Sequence, residues 1–134
     1  VQLQSRIRMT FNWVEYLNLA DTIVRERARF SNDEACCRTA ISRAYYAAFC
    51  TARNRARDKE GLAVTNTGAD HNLVKNHFQR APDKSRQKIG LWLDRLRGNR
   101  NDADYLDRNL SNAASLCASS LAQARNALNE LTTL

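Results

Sequence analysis

The sequence predicts an all-α protein, an up-and-down bundle of four long helices plus one short helix in a single domain over residues 1–134. Proline occurs once and glycine four times, and β-branched residues are scarce. Apolar residues recur at three- and four-residue steps, which is the period of an amphipathic helix. Few helix breakers and this period favour helices over strands. Residues 1–9 precede the first periodic stretch, and we expect them to form a flexible N-terminal extension.

The first two helices are predicted from their apolar stripes. The first spans residues 10–29 and has an apolar residue on the same face at nearly every turn. Residues 31–34, Ser-Asn-Asp-Glu, have the pattern of a capping box and predict the start of a second helix over residues 32–59, which Gly61 ends. We expect this second helix to be central to the core because its apolar face is the widest. That face contains Cys37, Ile41, Ala44, Tyr45, Ala48 and Ala52.

The rest of the chain is predicted to contain a loop and three helices. The loop covers residues 61–69, and the helices cover residues 70–80, residues from near 83 to 105–109, and residues 111–132. Pro82 separates the first two of these helices. The short helix over residues 70–80 is expected to bury Leu73, Val74 and Phe78.

The net charge of +7 is carried by 17 arginines against four lysines. Arginine has a planar group that binds phosphate through two hydrogen bonds, so this excess is typical of proteins that bind RNA or nucleotides. A solvated basic surface without a ligand is the alternative, and composition alone does not choose between them. At the end of the second helix, Arg53, Arg55 and Arg57 are expected to form an exposed cluster that salt screens.

The composition disfavours several other classes of protein. No apolar run approaches the roughly 20 residues of a membrane span, and the first residues lack the apolar core of a signal peptide. The four cysteines lack the spacing of a metal site, and the two histidines lie near opposite faces of a short helix. No glycine-rich phosphate loop is present in the sequence. We therefore expect a cytoplasmic protein with buried free thiols, and no cofactor, metal site or membrane partner.

Arg100 departs most clearly from the pattern of a helical bundle. It lies 11 residues after Ile89, which returns it to within about 20° of the same helix face, inside the apolar stripe. An inward-facing arginine is costly unless it is paired or bound to an anion. Nearby, Gly98 is expected to let a ligand approach the helix backbone closely. The structural alternative is an ion pair with Asp104, one turn later, which would neutralise Arg100 with no further role.

Three segments resemble motifs of one protein family. Residues 42–52, S-R-A-Y-Y-A-A-F-C-T-A, resemble the R-A-Y-Y-A-x-F-x-x-A signature of HEPN domains, small helical domains named for higher eukaryotes and prokaryotes nucleotide-binding. Residues 100–105, R-N-D-A-D-Y, are similar to the R-x-x-A-D-Y segment of one bacterial HEPN subgroup. A third segment, which begins at His71, falls where that subgroup has a His-x-x-Val/Ile-x-x-x-Phe pattern. The resemblance covers roughly residues 12–131, with matching order and spacing.

The resemblance implies a four- to five-helix bundle, usually a homodimer in which the arginines of two protomers meet in a cleft. It implies binding of RNA or a nucleotide, and in many members a metal-independent endoribonuclease activity, often as a toxin in a toxin–antitoxin or defence system. The family hallmark is an arginine, often followed by Asn or Asp, with a histidine after four to six intervening residues. Arg100 and Asn101 match its first positions, but Tyr105 stands where the histidine is expected. A phenol with a pKa near 10 is a poor base, although it can donate a hydrogen bond or stack on a nucleobase.

Three interpretations of the site remain open. In the first, the chain is a HEPN-type RNA- or nucleotide-binding protein and ribonuclease, with catalytic candidates Arg100, Asn101, Asp104, Tyr105 and, from another helix, His71 or His77. Its ligand contacts would come from Arg100, Arg97, Arg43 and Tyr46. In the second, the chain is a non-catalytic interaction module that binds, or is modified by, a small nucleotidyltransferase antitoxin, with Tyr105 as the acceptor hydroxyl. In the third, it is a structural helical adaptor.

Overall fold

The computed structural model describes residues 10–134, and within that range it confirms the all-α bundle. The described residues form no strand and five helices: α1 (Val14–Glu26), α2 (Asp33–Lys59), α3 (Asp70–Gln79), α4 (Lys84–Tyr105) and α5 (Ala113–Thr132). A short 3₁₀ turn, Arg27–Arg29, follows α1. The extension predicted at residues 1–9 lies outside the described residues.

The second helix is central, as the sequence predicts, because α2 packs against each of the other four described helices. Its inward face is rich in alanine, and small side chains let neighbouring helices approach closely. Larger side chains from the neighbours, including Phe78 of α3 and Ile89 of α4, are fully buried against it. All six residues predicted on its apolar face are buried: Cys37, Ile41, Ala44, Tyr45, Ala48 and Ala52.

The capping box predicted at residues 31–34 does not form. Asn32 is the N-cap of α2, and its side chain makes no capping hydrogen bond within the described part of the chain. The Glu34 carboxylate instead accepts a hydrogen bond from Arg38 Nε at 3.0 Å and one from the backbone N–H of Leu110 at 3.3 Å. Glu34 therefore links the start of α2 to the segment after α4. Its bond with the backbone of Leu110 replaces the bond with the N-cap backbone that a capping box would make.

One expectation about α3 is wrong and one about α4 stays a prediction. An added Cβ at Gly98 would meet no described atom outside its own helix within 4 Å, so the backbone there is open to a ligand. A close approach between helices occurs instead at Gly90, where an added Cβ would lie 2.7 Å from the backbone nitrogen of Gln79. Gly90 thus allows α4 to pack onto the end of α3. Leu73 is 37% exposed rather than buried, because a ten-residue helix turns only a narrow face toward the core, here through Val74.

The cysteines are free thiols, three of them buried and Cys36 half-buried. Burial raises the pKa of Cys117 to about 12 and also raises the pKa of Cys50. Such thiols stay protonated and unreactive at neutral pH. Over residues 10–134 no group of three or more His, Cys, Asp or Glu side chains could hold a metal ion. In the same range no helix has both the length and the apolar character needed to cross a bilayer.

Glu60 joins the end of α2 to α3 and α4. Its carboxylate accepts two hydrogen bonds from Arg86 at 3.0 Å each, one from Arg55 at 2.8 Å and one from His77 Nε2 at 2.9 Å. The bond from Arg86, with those from His77 and Arg55, lowers the pKa of Glu60 to about 2 although burial raises it. We call these four residues the Glu60 network. Its charged groups bond to one another and in this way hold three helices together.

We expect Glu60→Gln to destabilise the fold by about 2 kcal/mol at pH 7, because Arg86 and Arg55 lose their carboxylate. The stabilisation by Glu60 is present above the ordinary carboxyl pKa of 4.5 and is lost as the pH falls toward about 2. Urea unfolding at pH 7 and pH 3 measures both effects, and the variant should lose the part of the pH dependence due to Glu60.

The matched control for this substitution is Asp58→Asn. Asp58 is an exposed carboxylate near the same helix end and pairs with the neighbouring Arg57. Its neutralisation should change the free energy of unfolding by less than about 0.5 kcal/mol. Equal unfolding midpoints for Glu60→Gln and wild type at pH 7 would show that the Glu60 network does not stabilise the bundle.

Candidate functional site

Arg100 lies on the core-facing stripe of α4, as the sequence predicts, and its side chain is only 8% exposed. Its Nε is buried and has no hydrogen-bond acceptor among the described residues. The predicted pair with Asp104 exists, but Oδ2 lies 3.7 Å from Nη1, which is longer than a hydrogen bond. A buried donor without an acceptor costs about 1–3 kcal/mol. Arg100 is therefore paired only loosely and keeps unused hydrogen-bonding capacity.

Three tyrosine rings surround the Arg100 guanidinium. Its Cζ lies 5.3 Å from the ring centre of Tyr45, 5.5 Å from that of Tyr46 and 6.0 Å from that of Tyr105. Cation–π contacts of this kind contribute about 0.5–2 kcal/mol each and leave the N–H groups free to donate. Tyr45 is buried, Tyr46 is half-buried and Tyr105 is 74% exposed. The rings thus line the guanidinium from the core to the surface.

Asp104 is shared between Arg100 and α2. The Ser42 hydroxyl donates to Asp104 Oδ2 at 3.3 Å and accepts a hydrogen bond from Arg43 Nη2 at 3.3 Å. Arg43 also lies over the Tyr46 ring, with Cζ 5.4 Å from its centre. Among the described carboxylates none forms a salt bridge with Arg43, so its positive charge is not neutralised locally.

His71, at the start of α3, lies on the same face. Its Nδ1 shares a hydrogen bond with the buried Tyr45 hydroxyl, and its ring stacks on Phe49 with the ring centres 4.5 Å apart. Burial, and then the positive charges of Arg97 and Arg100, lower the pKa of His71 below its ordinary value. The imidazole is therefore neutral at pH 7, and its Nε2 makes no hydrogen bond with any described residue.

Asp70 fixes the loop that precedes His71. Its Oδ1 accepts hydrogen bonds from the backbone N–H and the hydroxyl of Thr65, at 2.8 and 2.7 Å, and its Oδ2 accepts one from the N–H of Asn66 at 2.8 Å. The backbone bond from Thr65 is the main cause that lowers the pKa of Asp70. Asn66 has a φ of 59°, a left-handed conformation that asparagine tolerates. These bonds hold the first turn of α3, and so His71, in place.

The C-terminal end of α4 is held by Arg38 of α2. Its Nη1 donates to the carbonyl oxygens of Ala103 at 3.1 Å and Leu106 at 2.8 Å, and its Nη2 donates to that of Arg108 at 2.8 Å. Carbonyls at a helix end lack partners within the helix and carry a partial negative charge, which a guanidinium complements. Arg38 therefore positions the segment that carries Tyr105.

Most of the predicted site residues meet on this one face. They are Arg43, Tyr46, His71, Arg97, Arg100, Asp104 and Tyr105. Asn101 does not join them: it is exposed, and its side chain makes no hydrogen bond with the rest of the described chain. His77, the other histidine considered as a proton group, belongs to the Glu60 network at the opposite end of α3.

The exposed cluster predicted at the end of α2 is wrong. Arg55 belongs to the Glu60 network, and Arg57 pairs with the adjacent aspartate. Arg53 is half-buried and lies over the Trp13 ring, with Cζ 5.7 Å from its centre. Residues two apart on a helix point in different directions, so the three side chains have different neighbours.

The sequence does not identify Ser42, Tyr45 and Arg38 as parts of the site. They lie on α2 at three- and four-residue steps, so a polar stripe along a buried helix is the signal that the sequence offers. The apolar pattern predicts Tyr45 in the core, where its ring does lie, but its hydroxyl partner is 26 residues away in the chain. Contacts of that range leave no local pattern.

Comparison with models of protein families, with curated proteins and with solved structures finds no match to this chain. The resemblance to HEPN domains therefore stays a prediction that depends on the motifs alone. The site itself is defined by its chemistry, which combines a buried guanidinium, a neutral imidazole and further arginines bonded to neutral partners.

We expect His71 to titrate below the ordinary imidazole pKa of 6.5, and Arg97→Gln to raise its pKa. Removal of a nearby positive charge makes the imidazolium easier to form. An NMR titration of the histidine ring signals measures both effects. Arg80→Gln, which removes the same charge at the other end of α3, should leave the His71 pKa unchanged. A wild-type value at or above 6.5 would contradict the burial of His71 beside two arginines.

Proposed function

We propose that this face binds the phosphate groups of RNA or a nucleotide, and that the chain is a HEPN-type RNA- or nucleotide-binding domain. The observation that carries the proposal is the state of Arg100. Its guanidinium is almost fully buried, and none of its N–H groups is hydrogen-bonded to a described residue. A phosphate oxygen would accept from this group in a charge-assisted bond, which is about twice as strong as a neutral one.

The charges around Arg100 also support an anionic ligand. Arg97 donates to the Asn72 side-chain oxygen at 2.9 Å and Arg43 donates to a serine hydroxyl, so both arginines have neutral partners. Asp104 is the carboxylate that the described residues place beside Arg100. The three arginines outnumber Asp104 and the nearby Asp70, and this face therefore has a positive potential that attracts and orients phosphate.

Cleavage of RNA would require a base for the 2′-hydroxyl as well as a positive group at the phosphate. Arg100 supplies the positive group. Tyr105 is a poor base, whereas His71 is neutral and has a free Nε2 on the same face. When His71 Nδ1–H donates to the Tyr45 oxygen, Nε2 has the lone pair that a base needs. In that tautomer His71 is the proton acceptor that we propose for a ribonuclease activity.

A second candidate function is favoured by the exposure of Tyr105. Its side chain is 74% exposed, and its hydroxyl makes no hydrogen bond to a described residue. Such a hydroxyl is accessible to a nucleotidyltransferase partner: the phenol oxygen would attack the α-phosphorus of a nucleoside triphosphate, pyrophosphate would leave, and the phenol proton would pass to solvent. In this case the chain is a non-catalytic interaction module.

We expect Arg100→Gln to weaken the binding of fluorescein-labelled RNA by about 10- to 100-fold, because a charged donor to phosphate is lost. Fluorescence anisotropy measures the affinity, and thermal melting confirms that the variant is folded. Arg100→Lys keeps the charge but loses the planar guanidinium, which can donate two hydrogen bonds to one phosphate. This variant should bind with intermediate affinity.

The matched control removes the same charge from the exposed side chain of Arg57. Because this arginine pairs with a neighbouring aspartate in water, Arg57→Gln should weaken binding less than about threefold. Unchanged affinity in Arg100→Gln together with a large loss in Arg57→Gln would overturn the assignment of the site.

Substitutions of Tyr105 and His71 separate the candidate activities. Tyr105→His restores the arginine–histidine spacing of the family, and His71→Gln removes the proposed base. If His71 is the base, cleavage of RNA in the presence of a chelator falls about 10²–10⁴-fold in His71→Gln and does not need Tyr105. If the base must instead lie at residue 105, where the HEPN motif has a histidine, cleavage appears or rises only in Tyr105→His.

A control variant and a labelling test complete this experiment. His77→Gln removes a histidine of the Glu60 network and should leave cleavage unchanged. Tyr105→Phe should abolish labelling of the chain by a nucleotidyltransferase co-purified from the native host, if the second function holds. If cleavage is unchanged in all the histidine variants and Tyr105 is not labelled, both candidate reactions are contradicted. Only the proposal that this face binds phosphate would then stand.

A further inference from the structure

Three aromatic residues form a partly exposed cluster at the start of α1. The rings of Phe11, Trp13 and Tyr16 contact one another edge to face, with ring centres 4.8–5.6 Å apart. Phe11 is 48% exposed, and the other two are half-buried. We call this cluster the aromatic platform. An exposed group of large rings beside a basic face marks an interaction surface.

Two arginines of α2 lie against the aromatic platform. The Cζ of Arg43 is 4.8 Å from the ring centre of Tyr16, and that of Arg53 is 5.7 Å from the ring centre of Trp13. Their hydrogen-bond partners are a serine hydroxyl and an asparagine amide. Neither arginine forms a salt bridge with a carboxylate in residues 10–134. The positive charge beside the platform is thus available to an anionic ligand.

The aromatic platform is continuous with the Arg100 site. Arg43 lies between the rings of Tyr16 and Tyr46, and Arg100 lies between those of Tyr46 and Tyr105, with each Cζ no more than 6.0 Å from a ring centre. Rings and guanidinium groups therefore alternate across α1, α2 and α4. At its two ends this row has exposed rings, those of the platform and of Tyr105.

We propose that the aromatic platform is a second nucleotide subsite, and that the ligand is a single-stranded RNA segment that runs from Arg100 across Arg43 to the platform. This proposal rests on the proposed function of the Arg100 site. A single strand presents alternating phosphates and unstacked bases, which match alternating guanidinium groups and rings. A mononucleotide would fill one end of the row only. A duplex hides the faces of its bases and would leave the rings without partners.

The test compares RNA strands of about 2, 6 and 12 nucleotides, since single-strand sites in other proteins cover about 4–16 nucleotides. The affinity of the wild-type chain should rise with length. Phe11→Ala should leave the shortest strand unaffected and weaken the longest about 5- to 100-fold, the loss expected from one stacked base. Arg53→Gln should lower the salt dependence for the longest strand by about 0.7 in log–log slope, the loss of one phosphate contact.

Matched controls come from the other end of α1 and from α3. Phe30 is 56% exposed and follows the 3₁₀ turn, and Arg80 is an exposed arginine. Phe30→Ala and Arg80→Gln make the same chemical changes away from the row. Both should bind RNA of every length as the wild type does. A hairpin of the same sequence as the longest strand should bind more weakly than the unpaired strand.

The outcomes separate the platform from the proposed function. If Arg100→Gln leaves binding of the shortest strand unchanged, the proposed function fails whatever the platform does. If Arg100→Gln abolishes binding while Phe11→Ala and Arg53→Gln bind the longest strand normally, the function stands and the platform proposal is overturned. A hairpin that binds as tightly as the single strand would also overturn the platform proposal. A change in oligomeric state by light scattering in Phe11→Ala, with unchanged RNA affinity, would instead make the platform a protein interface.

Discussion

A positive charge buried in the apolar face of α4 is the constraint on which the site depends. Burial of a charge is costly unless neighbouring groups stabilise it. Around Arg100 that stabilisation comes from tyrosine rings and a loosely paired carboxylate, Asp104, and not from hydrogen bonds. The surroundings follow from this need: α2 supplies Tyr45 and Tyr46, and Arg38 of the same helix fixes the end of α4. The guanidinium is thus held in place while its terminal Nη–H groups make no hydrogen bond with the described residues.

The two ends of α3 use charge in different ways. In the Glu60 network one carboxylate takes all its partners from within the protein, and its pKa falls to about 2. A cavity of about 690 Å³ lies beside that network, but the network's ionic groups already bind one another. At the other end, Arg97 and Arg100 lie near His71, and Asp104 and Asp70 oppose them only in part, since the pKa of His71 is still lowered. An anionic ligand gains more at the end where charge is unbalanced than in the cavity beside the Glu60 network.

Periodicity predicted the helices, the central place of α2 and the inward position of Arg100, because each depends on spacing within one helix. It could not predict the contacts between helices that make the site. The Tyr45–His71 hydrogen bond and the hydrogen bonds from Arg38 to the end of α4 join residues that are far apart in the chain. Tertiary contacts also overrode a local signal: Glu34, expected to cap its own helix, bonds Arg38 and the segment after α4.

The Tyr45–His71 hydrogen bond bears directly on whether this face binds RNA or also cuts it. Burial raises the pKa of Tyr45, so its phenol stays protonated. Among the described residues His71 Nδ1 is the one hydrogen-bond partner of that hydroxyl, so the arrangement that satisfies it has O–H donating to Nδ1. Nε2 then carries the imidazole proton and donates, which suits a phosphate oxygen better than the abstraction of a proton. Base catalysis by His71 requires the other tautomer, in which the buried phenol proton lacks an acceptor. The resting geometry therefore favours binding, and cleavage depends on the ligand itself offering an acceptor to Tyr45 or shifting the tautomer.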